Sequence, residues 1–168
     1  MIEITAKLPS GAQGEVQGQL RLPFDLRQKR WLFAALVSGE EVAVKLGRGA
    51  NLRGGDRLLA ADGRVIEVIA MVERVVHVEC KTVCDLTRVA YHLGNRHVPV
   101  QVGDGFLRLG ENHVLENMLR GLGATLTNID APFEPESGAY GSAHFHDEPS
   151  ENHSGRIHEF GTSERSDG

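Results

Sequence analysis

The sequence predicts an α+β chain made of a small all-β amino-terminal domain, a ferredoxin-like βαββαβ domain and a flexible histidine-containing tail. Three observations carry this expectation. Through about Met71, short apolar runs alternate at a period of two and break at Pro-Ser-Gly, Gly or Asp-Gly, the mark of strands and hairpins. After about Val72, apolar residues at three-to-four-residue spacing appear between strand-like runs. From Glu134 onward the composition turns to Pro, Gly, Ser, His and acidic residues, and Ile157 is the only aliphatic side chain larger than alanine. Such a segment buries too little apolar area to offset the entropy of ordering it. The divisions read this way are 1–72, 73–142 and 143–168.

In the first division the expected strands lie in IEITAKL, VQGQLRL, WLFAALVSGEEVAVKL and LRGGDRLLAADGRVIEVIAM. Asp62-Gly63 is the clearest hairpin turn, and antiparallel pairing is the expectation throughout. The second division opens with the strand ERVVHVEC and continues into a helix through VCDLTRVAYHLGN, where Val83, Leu86, Val89, Ala90 and Leu93 share a stripe. Gly94-Asn95 ends that helix. HVPVQV and FLRL flank the turn Gly103-Asp104-Gly105 as a hairpin. A second helix, HVLENMLRGLG, has Asn112 as its N-cap and Val114, Leu115, Met118, Leu119 and Leu122 as its apolar stripe, with Gly121 or Gly123 near its end. ATLTNIDAPF supplies the last strand, completing the β-α-β-β-α-β order in which two helices cover one face of an antiparallel sheet.

A chain of 168 residues has room for one medium domain or two small ones. A core of about 70 residues rarely contributes more than about 3–5 kcal/mol net, so dimerisation would help. The net charge of −5 gives no basic surface of the kind that neutralises phosphates, which argues against a nucleic-acid partner. No run approaches the roughly 20 apolar residues of a membrane span, and MIEITAKLPSG is unlike a signal peptide; a cytoplasmic protein is expected, with no membrane partner. Cys80 and Cys84 form a lone CKTVC pair, half of a closed tetrahedral site at most, and read as free thiols in a reducing compartment. There is no GxSxG, GxxxxGK[ST] or HExxH, and the glycine-rich LGRGANLRGGD lies between strands with no following helix. No residue set supports an enzyme.

Histidines gather in the second half of the chain. His97 follows Gly-Asn-Arg in AYHLGNRHVPVQ, at a turn entering a strand, where a side chain can project outward. One imidazole is not a metal site, but a two-fold dimer places the same residue of both chains across its axis and so provides two ligands. His113 starts the second helix, with Glu111 two residues earlier as a carboxylate donor to the same ion. A helix N-terminus disfavours a cation by only about 0.3–1 kcal/mol. His77 and His92 read as ordinary sheet and helix residues. In the tail, His144-Phe145-His146 precedes Asp147 and Glu148, with His153 and His158 beyond. Imidazoles with nearby carboxylates suit nickel, copper and zinc, with affinity falling as pH protonates the ligands.

AYHLGNRHVPVQ, HVLENMLRGLG, the PFEPESGAYG junction and the histidine-bearing tail together resemble the UreE family of urease accessory proteins, over residues 1 to about 146. The resemblance implies a homodimeric nickel metallochaperone with a peptide-binding-like amino-terminal domain and a ferredoxin-like dimerisation domain. It implies that His97 binds Ni(II) at the dimer interface, that His144 and His146 can join that ion, and that His113 serves a secondary site. It further implies delivery to apo-urease within a maturation complex that includes a GTPase. Two departures matter: Glu111 stands where some members carry another histidine, and the tail is dilute in histidine rather than nearly pure. Two other readings stand beside this one: a peptide- or client-binding chaperone module, and a Zn(II) or Cu(II) buffer with incidental nickel binding.

Overall fold

The computed structural model describes residues 1–47 and 50–137. Its amino-terminal half contains strands β1 (Ile2–Lys7), β2 (Val16–Leu22), β3 (Trp31–Ala35), β4 (Glu41–Lys45), β5 (Arg57–Ala60) and β6 (Val65–Ala70), with one short helix, α1 (Phe24–Arg27). The strands form a single sheet in the order β2-β6-β5-β1-β4-β3. Alternation places Leu20 and Leu22, Leu58 and Ala60, and Ile66 and Val68 on the buried side, where they meet Ile4, Val42 and Val44 in one apolar cluster. The Asp62-Gly63 turn joins β5 to β6 as expected, with Gly63 at φ +88°, a conformation that glycine adopts without steric cost.

One expectation is corrected here. The sheet is not wholly antiparallel: β1 pairs with β4, and β2 with β6, in parallel. A period of two assigns faces and leaves partners open, and the long connections between these strands give the chain room to cross over. The division is built of strands as expected, with the single turn of α1 beginning at Pro23, whose fixed φ and missing N–H suit a helix start.

The carboxy-terminal half contains β7 (Val72–Glu79), α2 (Val83–Gly94), β8 (Gln101–Gly103), β9 (Phe106–Gly110), α3 (His113–Gly121) and β10 (Thr125–Pro132). Its four-stranded sheet runs β10-β7-β9-β8 with every neighbour antiparallel, the order of a ferredoxin-like unit. Val76, Val78, Leu107 and Leu109 of the sheet meet Val89 and Leu93 of α2 and Leu115 and Leu119 of α3 in a second apolar cluster. Val83 and Val114, expected in the helix stripes, are instead exposed. Each lies in the first turn of its helix, and Val114 is rotated by about 100° from Leu115, off the face that meets the sheet. The strand expected in HVPVQV is confined to Gln101–Gly103, since Pro99 has no N–H to give a ladder.

Asn112 caps α3 as its type and position indicate: its side-chain oxygen accepts from the backbone N–H groups of Val114 and Leu115 at 3.0 and 3.2 Å. Asn112→Ala is expected to lower stability by about 1 kcal/mol. For a chain of this size that is a fall of roughly 2–4 °C in thermal midpoint, measurable by calorimetry at fixed protein concentration.

Candidate metal centre

His97 owes its position to the way α2 ends. Beyond Gly94 the chain makes one further tight turn, in which the N–H of His97 donates to the Gly94 carbonyl at 2.9 Å and that of Val98 to the Leu93 carbonyl at 3.4 Å. This is the bond pair of a Schellman closure, with Val98 packing back onto the cluster that contains Leu93. The closure requires a left-handed residue, a position usually held by glycine; here His97 fills it at φ +54°, and among the described residues it is the only non-glycine with positive φ. A side chain in that conformation costs about 1–2 kcal/mol. Backbone strain of this kind concentrates where a side chain is needed for function. The imidazole is exposed.

Two grooves meet at His97. One, of about 330 Å³, lies between His97-Val98-Pro99, the amino-terminal half at Arg27 and Arg53, and the segment Glu134–Ser137. The other, of about 350 Å³, is bordered by His97, Phe24, Asp25, Glu111 and Phe133. Glu111 therefore shares a groove with His97, yet its carboxylate already accepts from Arg74 Nε at 3.3 Å and Asn128 Nδ2 at 3.0 Å. His113 is exposed on the first turn of α3 and borders neither groove.

The other histidines with described positions serve the fold. His77 stacks against Phe106 with ring centroids 4.6 Å apart, and its Nδ1 accepts from Arg108 Nε at 3.4 Å. His92 lies edge-on to Tyr91. Cys80 and Cys84 are free thiols; burial, with the Asp85 charge adding to it, pushes the Cys80 thiol above its ordinary pKa, while Cys84 is exposed. His144, His146, His153 and His158 lie outside the described residues. Among the described residues no group of three or more His, Cys, Asp or Glu side chains could hold an ion, so His97 must find further ligands elsewhere to serve as a metal site.

Sequence reasoning missed Arg27. It is 1% exposed, and its guanidinium donates to the carbonyls of Leu22, Leu52 and Phe133 and to Glu134 Oε1. The available signal was an acidic residue held between prolines in PFEP, a short rigid segment able to offer a fixed carboxylate.

Comparison with known proteins covers nearly the whole chain. Residues 2–71 match the family described as UreE urease accessory protein, N-terminal domain, and residues 73–161 match its C-terminal domain. The urease accessory protein UreE of Pseudomonas savastanoi pv. phaseolicola is 48% identical over 153 residues, 89% of this chain and 92% of that protein. The UreE protein of Nitrosospira multiformis is 50% identical over 141 residues, covering 83% and 80% of the two chains. That of Azotobacter vinelandii is 47% identical over 154 residues, covering 89% and 93%. Two family domains matched in order, and identity near one half along most of the length, place the chain in the UreE family of urease accessory proteins.

Proposed function

We propose that this chain carries Ni(II) to apo-urease during assembly of the urease metallocentre. Two copies meet through the ferredoxin-like unit, residues 73–142, and bring their His97 side chains to one ion. His144 or His146 completes the shell. The observation that carries the reading is the strained, outward-facing His97 on a chain whose described residues offer no ligand set of their own. A site completed only when two chains meet is open on one side, which suits an ion that must be given up. Imidazole nitrogen is a fitting ligand for nickel, although the affinity order places Cu(II) above it, so Zn(II) and Cu(II) compete in solution. His113, with Glu111 nearby in sequence, offers a secondary and weaker site, and His153 and His158 add further tail donors. The acceptor is the urease apoprotein within a maturation complex that includes a GTPase, and no step requires this chain to be an enzyme.

A second reading has its own observation. Trp31 and Phe33 stand 55% and 57% exposed on the edge strand β3, edge-to-face with centroids 4.8 Å apart. An aromatic pair beside an unpaired strand edge suits an extended peptide, in keeping with a client-docking role for residues 1–72.

Delivery is tested by mixing the nickel-loaded chain with apo-urease and its other accessory proteins in the presence of a chelator that holds free nickel low. The loaded wild-type chain is expected to restore urease activity. Equal restoration by a His97→Ala chain would overturn the reading.

A further inference from the structure

Resting on the client-docking reading above, we infer that the free edge of β3 takes one extended segment of a partner protein as an added antiparallel strand. That segment is basic at its amino-terminal end, apolar at alternate positions and acidic at its carboxy-terminal end. Strand β3 pairs only with β4 among the described residues. The bonds that flank this ladder fix its phase: the Leu46 N–H donates to the Arg30 carbonyl at 2.7 Å, and the Leu36 N–H to the Glu40 carbonyl at 2.9 Å. Bonded and non-bonded pairs alternate in an antiparallel ladder, so Leu32 and Ala34 exchange bonds with β4, while Trp31, Phe33 and Ala35 turn their N–H and C=O groups to the open side. The same three residues are exposed, and no proline or charge within Trp31–Ala35 guards the edge.

Charge sets the chemistry and direction of the occupant. Lys29 and Arg30 lead into one end of β3, and Glu41 stands opposite Ala35 at the other; all three are exposed, and none forms an ion pair among the described residues. The neighbouring charges are taken: Lys45, opposite Trp31, pairs with Glu3, and Glu40 with Arg64. An antiparallel segment therefore lays its carboxy-terminal end beside Lys29 and Arg30 and its amino-terminal end beside Glu41, which places its acidic and basic residues. Between these ends, the edge-to-face Trp31 and Phe33 rings and a groove of about 500 Å³ bordered by Met1, Phe33, Ala35 and Val42 receive alternate apolar side chains. A second copy fits less well: self-pairing about Phe33 would set Lys29 and Arg30 against Val37 and Leu36, which offer no carboxylate.

The test titrates the full chain with the peptide KTVTVTEE and with its neutral counterpart STVTVTSS, by calorimetry and by tryptophan emission. Trp31 is the chain's single tryptophan, so a strand laid along β3 shifts that emission to the blue. The charged peptide is expected to bind with this shift, and at least fivefold more tightly than the neutral one at low salt, the difference shrinking as salt is added. Ala35→Pro removes an outward-facing N–H and no ladder bond, and should weaken binding about two- to tenfold. Lys29→Glu/Arg30→Glu should erase the preference for the charged peptide. Heat of binding without a Trp31 shift, equal affinity for the two peptides, or wild-type affinity in Ala35→Pro would overturn the inference while leaving a client-docking role for this half. An edge already filled in the free chain, with Ala35→Pro lowering the oligomeric state, would assign it to a second copy and overturn the inference likewise. No heat from either peptide would overturn the docking reading itself.

Discussion

Replacing His97 with glycine is expected to abolish tight nickel binding while leaving the fold at least as stable as before. The two halves of this expectation come from different physics. At φ +54° the His97 backbone lies where a Cβ is unfavourable by about 1–2 kcal/mol, and glycine removes that cost. Glycine also gives the unfolded chain more freedom, which offsets part of the gain by about 0.5–1 kcal/mol. The net change in thermal midpoint should therefore be zero to a few degrees upward. The Schellman bonds are made by backbone groups and survive the substitution. Nickel affinity should fall by more than about a hundredfold, since mutating even the outer partners of metal ligands costs about 10–100-fold, and in the proposed dimer a single change removes two ligands. His97→Ala should lose nickel equally but keep the backbone strain. A glycine variant that unfolds, or that binds nickel as the wild type does, contradicts the expectation.

The second large effect belongs to Arg27. This side chain reaches four acceptors from a nearly sealed position, with Glu73 Oε1 4.0 Å away as a second carboxylate. Arg27→Met keeps much of the length and apolar stem but supplies no donor. It leaves the carbonyls of Leu22, Leu52 and Phe133 short of a partner and the Glu134 carboxylate without its cation. Removing one member of a buried, hydrogen-bonded charge pair costs about 3–5 kcal/mol, because the remaining groups stay desolvated. A fall of roughly 6–20 °C in thermal midpoint follows for a chain of this length, read by calorimetry at fixed protein concentration because self-association of the kind proposed would shift the midpoint. Glu134→Ala should cost less, since its side chain is 28% exposed and water can replace part of what it gives. A loss below about 1 kcal/mol for Arg27→Met would mean that the clamp contributes little to holding the two halves together.

How much of this was legible in the sequence depends on how local the cause is. Asn112 caps its helix, Asp62-Gly63 turns its hairpin, and the order of strands and helices after Val72 follows from spacing, because each depends on residues within a few positions. The parallel pairing of β1 with β4 and β2 with β6 was not legible, since alternation says which face a residue takes and nothing about which distant strand lies beside it. The left-handed conformation of His97 was half legible: Gly-Asn-Arg-His announces a turn, yet Gly94 suggested itself as the closing residue and instead remains in the helix. Arg27 was missed because its partners, Leu22, Leu52, Phe133 and Glu134, are drawn from both halves of the chain, and PFEP marks only one of them. The resemblance gave His97 one ion and His113 a secondary one, and the sequence could not say that Glu111, two residues from His113, also borders a groove with His97 and is held by Arg74 and Asn128.

In the proposed function one nickel ion is shared by two chains through His97. Native mass spectrometry of the nickel-loaded chain, run on the full sequence, on a chain ending at residue 142 and on His97→Gly, measures metal count and oligomeric state together. The expected result is a dimer holding one tightly bound nickel in the full chain, a more weakly held single ion without the tail, and none in the glycine variant. One tightly bound ion per monomer, or an ion retained at full occupancy without His97, would contradict it.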